Sequence, residues 1–425
     1  MVFKELDEIL GCFRPVFKHQ ATYGWFVVLL MMFLIRFDHH GMTSAIRWLY
    51  LEPQHYTALL AFFKTTAWQL EALLTTWATL VISRLAPMEC HGRLVILGDG
   101  IKVCKEARKM PGVKKLHQAS ENSGKGEVIW GHHFNFTGLL AGNGRKLFCL
   151  PLQGRLAEGL NSPHAEPSDE TIVTRMAKLC LQTARMTGRK GLAVVDAYFC
   201  TGPMFLILKN TVDAAGQQLV HLITRAKDNY VGYDPMRTGD GRYGKAGKVK
   251  RMEVFKETER FTVVETGRGP EAGTIAYACL DLIWQPLREL VRFVLVKDRE
   301  ERYILMCSDP TLPALDIIRL YGYRGKIEVM FLFLKHLIGG FAYRFWTKAW
   351  PRLNRRRSAV VEVLPSEKVR MVATAVEAIE RHVNLAGMAL GLLQYLALTE
   401  PLKIWRSYAG WLRTHASEIP SEAVV

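Results

Sequence analysis

Two short apolar runs constrain this chain more than any other feature. RLVILGDG, at residues 93–100, and GLAVVDAYF, at residues 191–199, each lead a row of aliphatic side chains up to an aspartate, Asp99 and Asp196. Runs of this length, rich in Val, Ile and Leu and closed by Gly or Asp, read as buried strands that end at a turn. VIWGHHFNFTGLLA and KLFCLPLQG read as two more strands joined across GNG, a hairpin signal. Pro167, Ser168, Asp169 and Glu170 read as the cap and acidic first turn of a helix. Its Ile172, Met176, Leu179 and Cys180 fall on one face, and it stops at Gly188. PMFLILKNT reads as a short helix and QLVHLITRAK as a fifth strand. The order strand, strand, strand, helix, strand, helix, strand is that of an α/β layer fold with a mixed sheet.

The flanks have a different texture. Residues 1–87 read as helical, with one helix over residues 25–37 and a short one in HHGMTSAIRWLYL after a glycine break. A longer helix follows from PQHYT to VISRL, with Pro53 near its start. Short helices joined at a glycine are what a helix-turn-helix looks like, which makes this a candidate DNA-binding region. The run WFVVLLMMFLI is too short for a membrane span, which takes about 20 apolar residues, and Arg36 and Asp38 follow at once. It reads as a buried core helix. Residues 228–310 open on a stretch rich in Gly and basic residues and continue in alternating patterns, a β-rich insertion. Residues 311–345 return to a helix, and residues 346–425 read as a helical C-terminal region. There YRFWTKAWPRLNRRR is basic and aromatic, and Pro365-Ser366 caps a long amphipathic helix that reaches about residue 398.

The stretch YGYRGKIEVMFLFLKH, residues 321–336, sets charges into an apolar helix. At about 100° per residue, Tyr321, Arg324, Glu328 and Lys335 fall at roughly 0°, −60°, −20° and −40°. The expectation is one polar line down one helix, with apolar faces on either side. Such a line serves equally as a solvated stripe with an Arg324–Glu328 pair.

The spacing Tyr-x2-Arg-x3-Glu-x6-Lys, met here by Tyr321, Arg324, Glu328 and Lys335, resembles the signature of DDE transposases of the insertion-sequence-4 type. LGDG at Asp99 and VVDAYF at Asp196 look like that family's first and second acid motifs, and the long β-rich gap before the glutamate is similar too. The resemblance covers residues 90–345. It implies a ribonuclease H-like mixed-sheet core formed by residues 88–227 and 311–345, interrupted by the insertion. It implies that Asp99, Asp196 and Glu328 are catalytic and bind Mg²⁺, with Mn²⁺ as a substitute. Hard cations take oxygen ligands, and two of them stabilise the attacking and leaving oxygens of an in-line displacement at phosphorus. Arg324 and Lys335 are then expected on DNA phosphates, with the Tyr321 hydroxyl beside them. Trp284, the one tryptophan of the insertion, is the candidate to stack on a flipped base, although a core position is the plainer expectation for it. The implied partners are double-stranded DNA, as terminal inverted repeats and target, and further copies of the chain as a homodimer or higher oligomer. The implied location is the cytoplasm, on the nucleoid if the source is bacterial. A transposase-derived DNA-binding protein without catalysis and a related nuclease without strand transfer share these features.

The charge balance agrees with a polyanionic partner: 56 Lys and Arg against 40 Asp and Glu, a formal net charge of +16. Basic residues cluster at Lys102, Lys105, Arg108, Lys109, Lys114 and Lys115, in the Gly-rich loop from Arg242 to Arg251, and from Arg344 through Lys348 and Arg352 to Arg357. The eight cysteines form no CxxC pair, so zinc-ribbon and thioredoxin-like motifs are excluded, and they read as reduced thiols. No GxxxxGK[ST] or HExxH motif is present.

Overall fold

The structure, a computed structural model, describes residues 2–35, 38, 41–117, 127–143, 146–157, 170–227, 230–235, 248–249, 251–266, 273–352, 365–411 and 418–425. Its helices and strands begin with α1 (Val2–Gly11), α2 (Gln20–Ile35), α3 (Met42–Trp48), α4 (His55–Lys64) and α5 (Leu70–Leu85). Then come β1 (Glu89–Cys90), β2 (Arg93–Cys104), β3 (Lys114–His117), β4 (Val128–Gly142), β5 (Leu147–Leu156), α6 (Ile172–Thr187), β6 (Gly191–Val195), α7 (Gly202–Lys209) and β7 (Val220–Arg225). The next stretch holds β8 (Gly232–Tyr233), β9 (Lys248–Val249), α8 (Arg251–Val254), β10 (Thr262–Thr266), β11 (Gly273–Trp284), β12 (Glu289–Asp298) and β13 (Glu301–Cys307). Four helices close the chain: α9 (Ala314–Gly322), α10 (Gly325–His336), α11 (Ser366–Thr399) and α12 (Pro401–Ser407). The result is a mixed α/β protein whose strand pairs are mostly antiparallel. Residues 167–169 of the expected helix cap, and Arg242, Lys245 and Arg355 to Arg357 of the basic clusters, lie outside the described residues.

The chain divides into two compact units, each discontinuous in sequence. The first is Met1–Met88, Gly100–Ile172 and Lys326–Val425; the second is Glu89–Asp99 and Val173–Gly325. The first unit is organised around α11. Every residue from Arg381 to Ala397 is buried, so this part of the helix is enclosed on all sides and serves as a core element. It packs on β5, α2, α4 and α5. Gly391 permits the closest approach, since a Cβ there would meet Trp77 Cζ2 at 2.4 Å. The Trp77 indole in turn donates to the Pro151 carbonyl at 2.9 Å. In the same unit β4 pairs antiparallel with β5 and, at its other end, with β3.

Two expectations for this unit need correction. The helix expected from Pro53 to Leu85 is two helices, α4 and α5. The Arg381 guanidinium, 1% exposed, donates to the carbonyls of Phe63 (3.1 Å), Thr65 (2.6 Å) and Trp68 (2.9 Å). It also stacks on the Trp68 ring at 4.3 Å and pairs with Glu377. The carbonyls that a continuous helix would use internally are taken by a side chain more than 300 residues away, so the helix stops. The second correction concerns residues 341–349, which are not helical. Phe341, Tyr343, Phe345, Thr347 and Ala349 are buried while Arg344, Trp346 and Lys348 are exposed, an extended period-two pattern. The expected helix over residues 25–37 begins earlier, as α2, and buries Phe26, Leu29, Leu30, Met32 and Phe33.

In the second unit β2, β6 and β7 run parallel, with α7 as the crossover from β6 to β7. The far edge of β7 pairs antiparallel with β13, and β13, β12 and β11 form a meander. β10 and β8 add to β11, so the described residues between 230 and 310 are largely strand. Ile96, Leu192, Val194, Leu222, Val294 and Leu305 are completely buried, as expected for strands covered on both faces. Helix α9 lies against β6, β7, β12 and β13.

Among the described residues no single helix is long and apolar enough to cross a membrane, although α11 and α12 together, bent by 99°, reach that length and composition. All eight cysteines are unpaired, five of them buried.

Candidate active site

Asp99 is not at a strand end. β2 continues through it to Cys104, so the Gly-Asp-Gly turn expected here is replaced by unbroken strand. The glycines serve close packing instead. A Cβ on Gly100 would meet His133 Nε2 at 2.5 Å, and one on Gly98 would sit 3.1 Å from both Met176 Sδ and Val195 Cγ1. Asp196, by contrast, does close β6. It is the N-cap of a 3-10 turn over Ala197–Phe199, its carboxylate accepts the Tyr198 N–H, and its carbonyl accepts the Thr224 hydroxyl at 2.9 Å.

The strand register brings these two acids together. β2 and β6 pair in parallel from Leu94 opposite Gly191 to Gly98 opposite Val195. Extended by one residue beyond the last pair, the same register would set Asp99 beside Asp196, the residue that follows β6. Neighbouring strands lie about 4.8 Å apart, and residues at the same register point to the same face. Two carboxylates so placed repel each other unless cations separate them.

One cation is supplied by the protein. Arg324 Nη1 donates to Asp99 Oδ2 at 3.2 Å, with the two side chains 22% and 16% exposed. Its position reflects another departure from expectation. Tyr321, Arg324, Glu328 and Lys335 do not share one helix: α9 ends at Gly322 and α10 starts at Gly325. Tyr323 N–H and Arg324 N–H bond to the Leu320 and Tyr321 carbonyls, a tightened i→i−3 ending. Two glycines bracket the break, and each disfavours helix by about 1 kcal/mol relative to Ala. Arg324 therefore stands in the joint and reaches Asp99, while Tyr321 occupies the last turn of α9. Burial pushes the Tyr321 phenol above its usual pKa; Arg324 opposes this, and the negative charge of Asp196 adds to it.

Glu328 and Lys335 both lie on α10, in the first unit. They are seven residues apart, so they share a face, and both are exposed. Ile327, Met330, Phe331 and Leu334 form the buried side, but Val329 and Leu332 of the six-residue apolar run are exposed. Trp284 is 3% exposed, with Phe205 at 5.0 Å and Tyr230 at 5.3 Å between ring centroids. It is a core residue of the second unit and presents no face to a base. Lys105 is also turned inward. It donates to the Phe341 and Tyr343 carbonyls and lies 3.6 Å over the Tyr343 ring, and burial brings its pKa down to about 7. It therefore leaves the phosphate-facing set, whereas Lys102, Arg108, Lys109, Lys115, Arg344, Lys348 and Arg352 are exposed.

Sequence reasoning passed over Arg225. It ends β7, next to the strand that ends at Asp196, stacks on Tyr303 with 5.6 Å to the ring centroid, and acts electrostatically on Tyr321. A basic residue closing the strand after an acid-closed strand, as in LITRAK after AVVDAYF, was the available signal.

The donors around Asp99 and Asp196 are carboxylate oxygens on one face of two adjacent strands. That set suits a hard divalent cation. No known family description matches the chain, and no curated protein matches it.

Proposed function

We propose that the chain is a DDE transposase of the insertion-sequence-4 type, an Mg²⁺-dependent enzyme that cleaves the ends of its own DNA element and joins them to target DNA. The single observation that supports this most is the β2–β6 register, whose last pair, Gly98 opposite Val195, immediately precedes Asp99 and Asp196. The pairings in each unit are also those a ribonuclease H-like core needs: β4 with β5 in the first, and β2, β6 and β7 in parallel in the second. On this reading Asp99, Asp196 and Glu328 would hold Mg²⁺, which would supply charge stabilisation for an in-line displacement at phosphorus.

The chain's own residues do the rest. Arg324, paired with Asp99, keeps that carboxylate oriented and brings a positive charge to a DNA phosphate. The Tyr321 phenol stays protonated throughout the neutral range, so it donates rather than accepts a hydrogen bond at phosphate. Lys335, Arg344, Lys348 and Arg352 supply exposed positive charge for the duplex backbone, and Trp346, 54% exposed among them, offers an aromatic face. DNA in the cytoplasm, as paired inverted-repeat ends, is the substrate, and two or more copies of the chain act on it.

The test is cleavage of DNA carrying the sequences that flank its gene. With Mg²⁺ the purified protein nicks the element ends, and Asp99→Asn, Asp196→Asn or Glu328→Gln each abolish nicking while the duplex is still bound. Nicking without subsequent joining to a target would leave a nuclease. Binding without nicking by the wild type would leave a DNA-binding protein. Normal cleavage by Glu328→Gln would remove Glu328 from the ligand set.

A further inference from the structure

At the start of β2, well before Asp99, a different donor set comes together. Cys90, His91 and Asp316 place one sulfur, one nitrogen and one oxygen within 4.8 Å of one another. His91 Nε2 meets Asp316 Oδ2 at 3.0 Å, and the other carboxylate oxygen accepts from Arg319 Nη2 at 2.8 Å. Cys90 is 5% exposed, while the His91 side chain is 54% exposed and open to solvent.

The backbone here is unusual. Cys90 pairs with Arg93, so His91 and Gly92 are the two-residue turn of the β1–β2 hairpin, with φ of 49° and 72°. Left-handed φ at both positions defines a type I′ turn, in which Asn-Gly is the favoured pair. A histidine in the first position is a more strained choice. It directs an imidazole at the first turn of α9, beside the Cys90 sulfur.

We infer that Cys90, His91 and Asp316 form a binding site for a borderline transition-metal ion, zinc being the natural occupant, with a fourth position open to water. The mixed S, N, O set is the type that four-coordinate zinc accepts and Mg²⁺ does not. Zinc with bonds of about 2.0–2.3 Å holds its ligand atoms about 3.3–3.6 Å apart. Reaching this from the present spacing takes side-chain shifts of about 1 Å. Asp316 Oδ2 turns from His91 to the metal, while Arg319 keeps Oδ1 and fixes the carboxylate, as outer partners of metal ligands do. The Cys90 thiol loses its proton to solvent as the metal–sulfur bond forms, so binding releases one proton per ion. The bound ion ties the β1–β2 hairpin to α9. Since β2 carries Asp99 and α9 carries Tyr321, this bond holds the frame on which the acid pair is mounted.

The test titrates metal-free full-length protein with Co²⁺ and then Zn²⁺. The expected result is one equivalent of Co²⁺ bound with a thiolate-to-cobalt charge-transfer band, displaced by Zn²⁺ and unaffected by excess Mg²⁺. Cys90→Ser removes the band. His91→Asn keeps the turn, because Asn tolerates left-handed φ, and weakens binding by more than about 10-fold. If the band persists in Cys90→Ser, or if the folded wild type binds Co²⁺ without the band or not at all, the site does not exist and the His91–Asp316 pair is only a staple.

Discussion

The two units differ in what their most buried charged side chains meet. In the first, interior polar side chains satisfy backbone: Arg381 takes three carbonyls of the α4–α5 joint, and Asn384 bonds both the N–H and the carbonyl of Gly154. Lys105 and the His132 ring likewise end on carbonyls. In the second unit, charge meets charge. Arg324 pairs with Asp99, Arg93 with Asp309 at 2.5 Å, and Arg292 with Asp281 through two bonds of 2.8 and 2.7 Å. A side chain that caps backbone is locked into the fold, whereas an ion pair at a strand edge can exchange its partner for a metal or a phosphate. The backbone caps of the first unit therefore bear on stability, and on the proposed reading the Arg324–Asp99 pair of the second bears on chemistry.

Mutation of the most buried cap should show this most clearly. Arg381→Leu strands three carbonyls at the end of α4 and should destabilise the protein by about 3–5 kcal/mol, read from the urea midpoint. An equivalent loss from Arg324→Gln would break the comparison. That substitution should instead change stability by less than about 1 kcal/mol. Its effect should fall on DNA cleavage, lowered about 10²–10³-fold as expected for a lost transition-state donor.

Acid titration separates the units more finely. Burial, reinforced by Lys105, holds the His132 pKa near 3 in the first unit, against the opposing Pro111 carbonyl. Burial and Arg93 hold His221 near 4 in the second. Both rings stay neutral in the fold but protonate near 6.5 when unfolded, so the unfolded state binds more protons below that pH. Stability should fall as pH drops from about 6.5, with the His221 contribution complete near 4 and the His132 contribution near 3. His132→Gln should roughly halve the histidine-linked decline between about pH 6.5 and 4 and remove it between about 4 and 3, as followed by urea midpoints across the range.

The smallest effect concerns the exposed basic face of the first unit. Arg344→Gln with Lys348→Gln should leave stability unchanged and reduce the salt dependence of duplex binding by about two phosphate contacts. An unchanged salt slope would show that this face does not meet DNA.

Local pattern made the strands legible. The aliphatic runs of β2, β6 and β7 and the β-rich character of residues 228–310 followed from it, because side-chain periodicity is a local property. What escaped depended on partners distant in sequence. Gly98 and Gly100 read as a turn around Asp99, yet they are small because Met176, Val195 and His133 crowd them. The α4–α5 break is set by Arg381, and Lys105 counted as surface until its carbonyl partners were known. The 3.6-residue spacing of Tyr321, Arg324, Glu328 and Lys335 ran unbroken through a joint that only the i→i−3 bonds reveal. The approach of Asp99 to Asp196 follows from the Gly98–Val195 register just before them, which neither strand encodes alone.

That pairing is the centre of the functional reading, and bound Fe²⁺ can test it directly. Fe²⁺ in place of Mg²⁺, with ascorbate and peroxide, cuts the polypeptide near the ion. The account predicts cuts close to residues 99 and 196 in the same molecule, suppressed by Mg²⁺ and lost in Asp196→Asn. Cuts elsewhere, or cuts at these positions that survive Asp196→Asn, would contradict it.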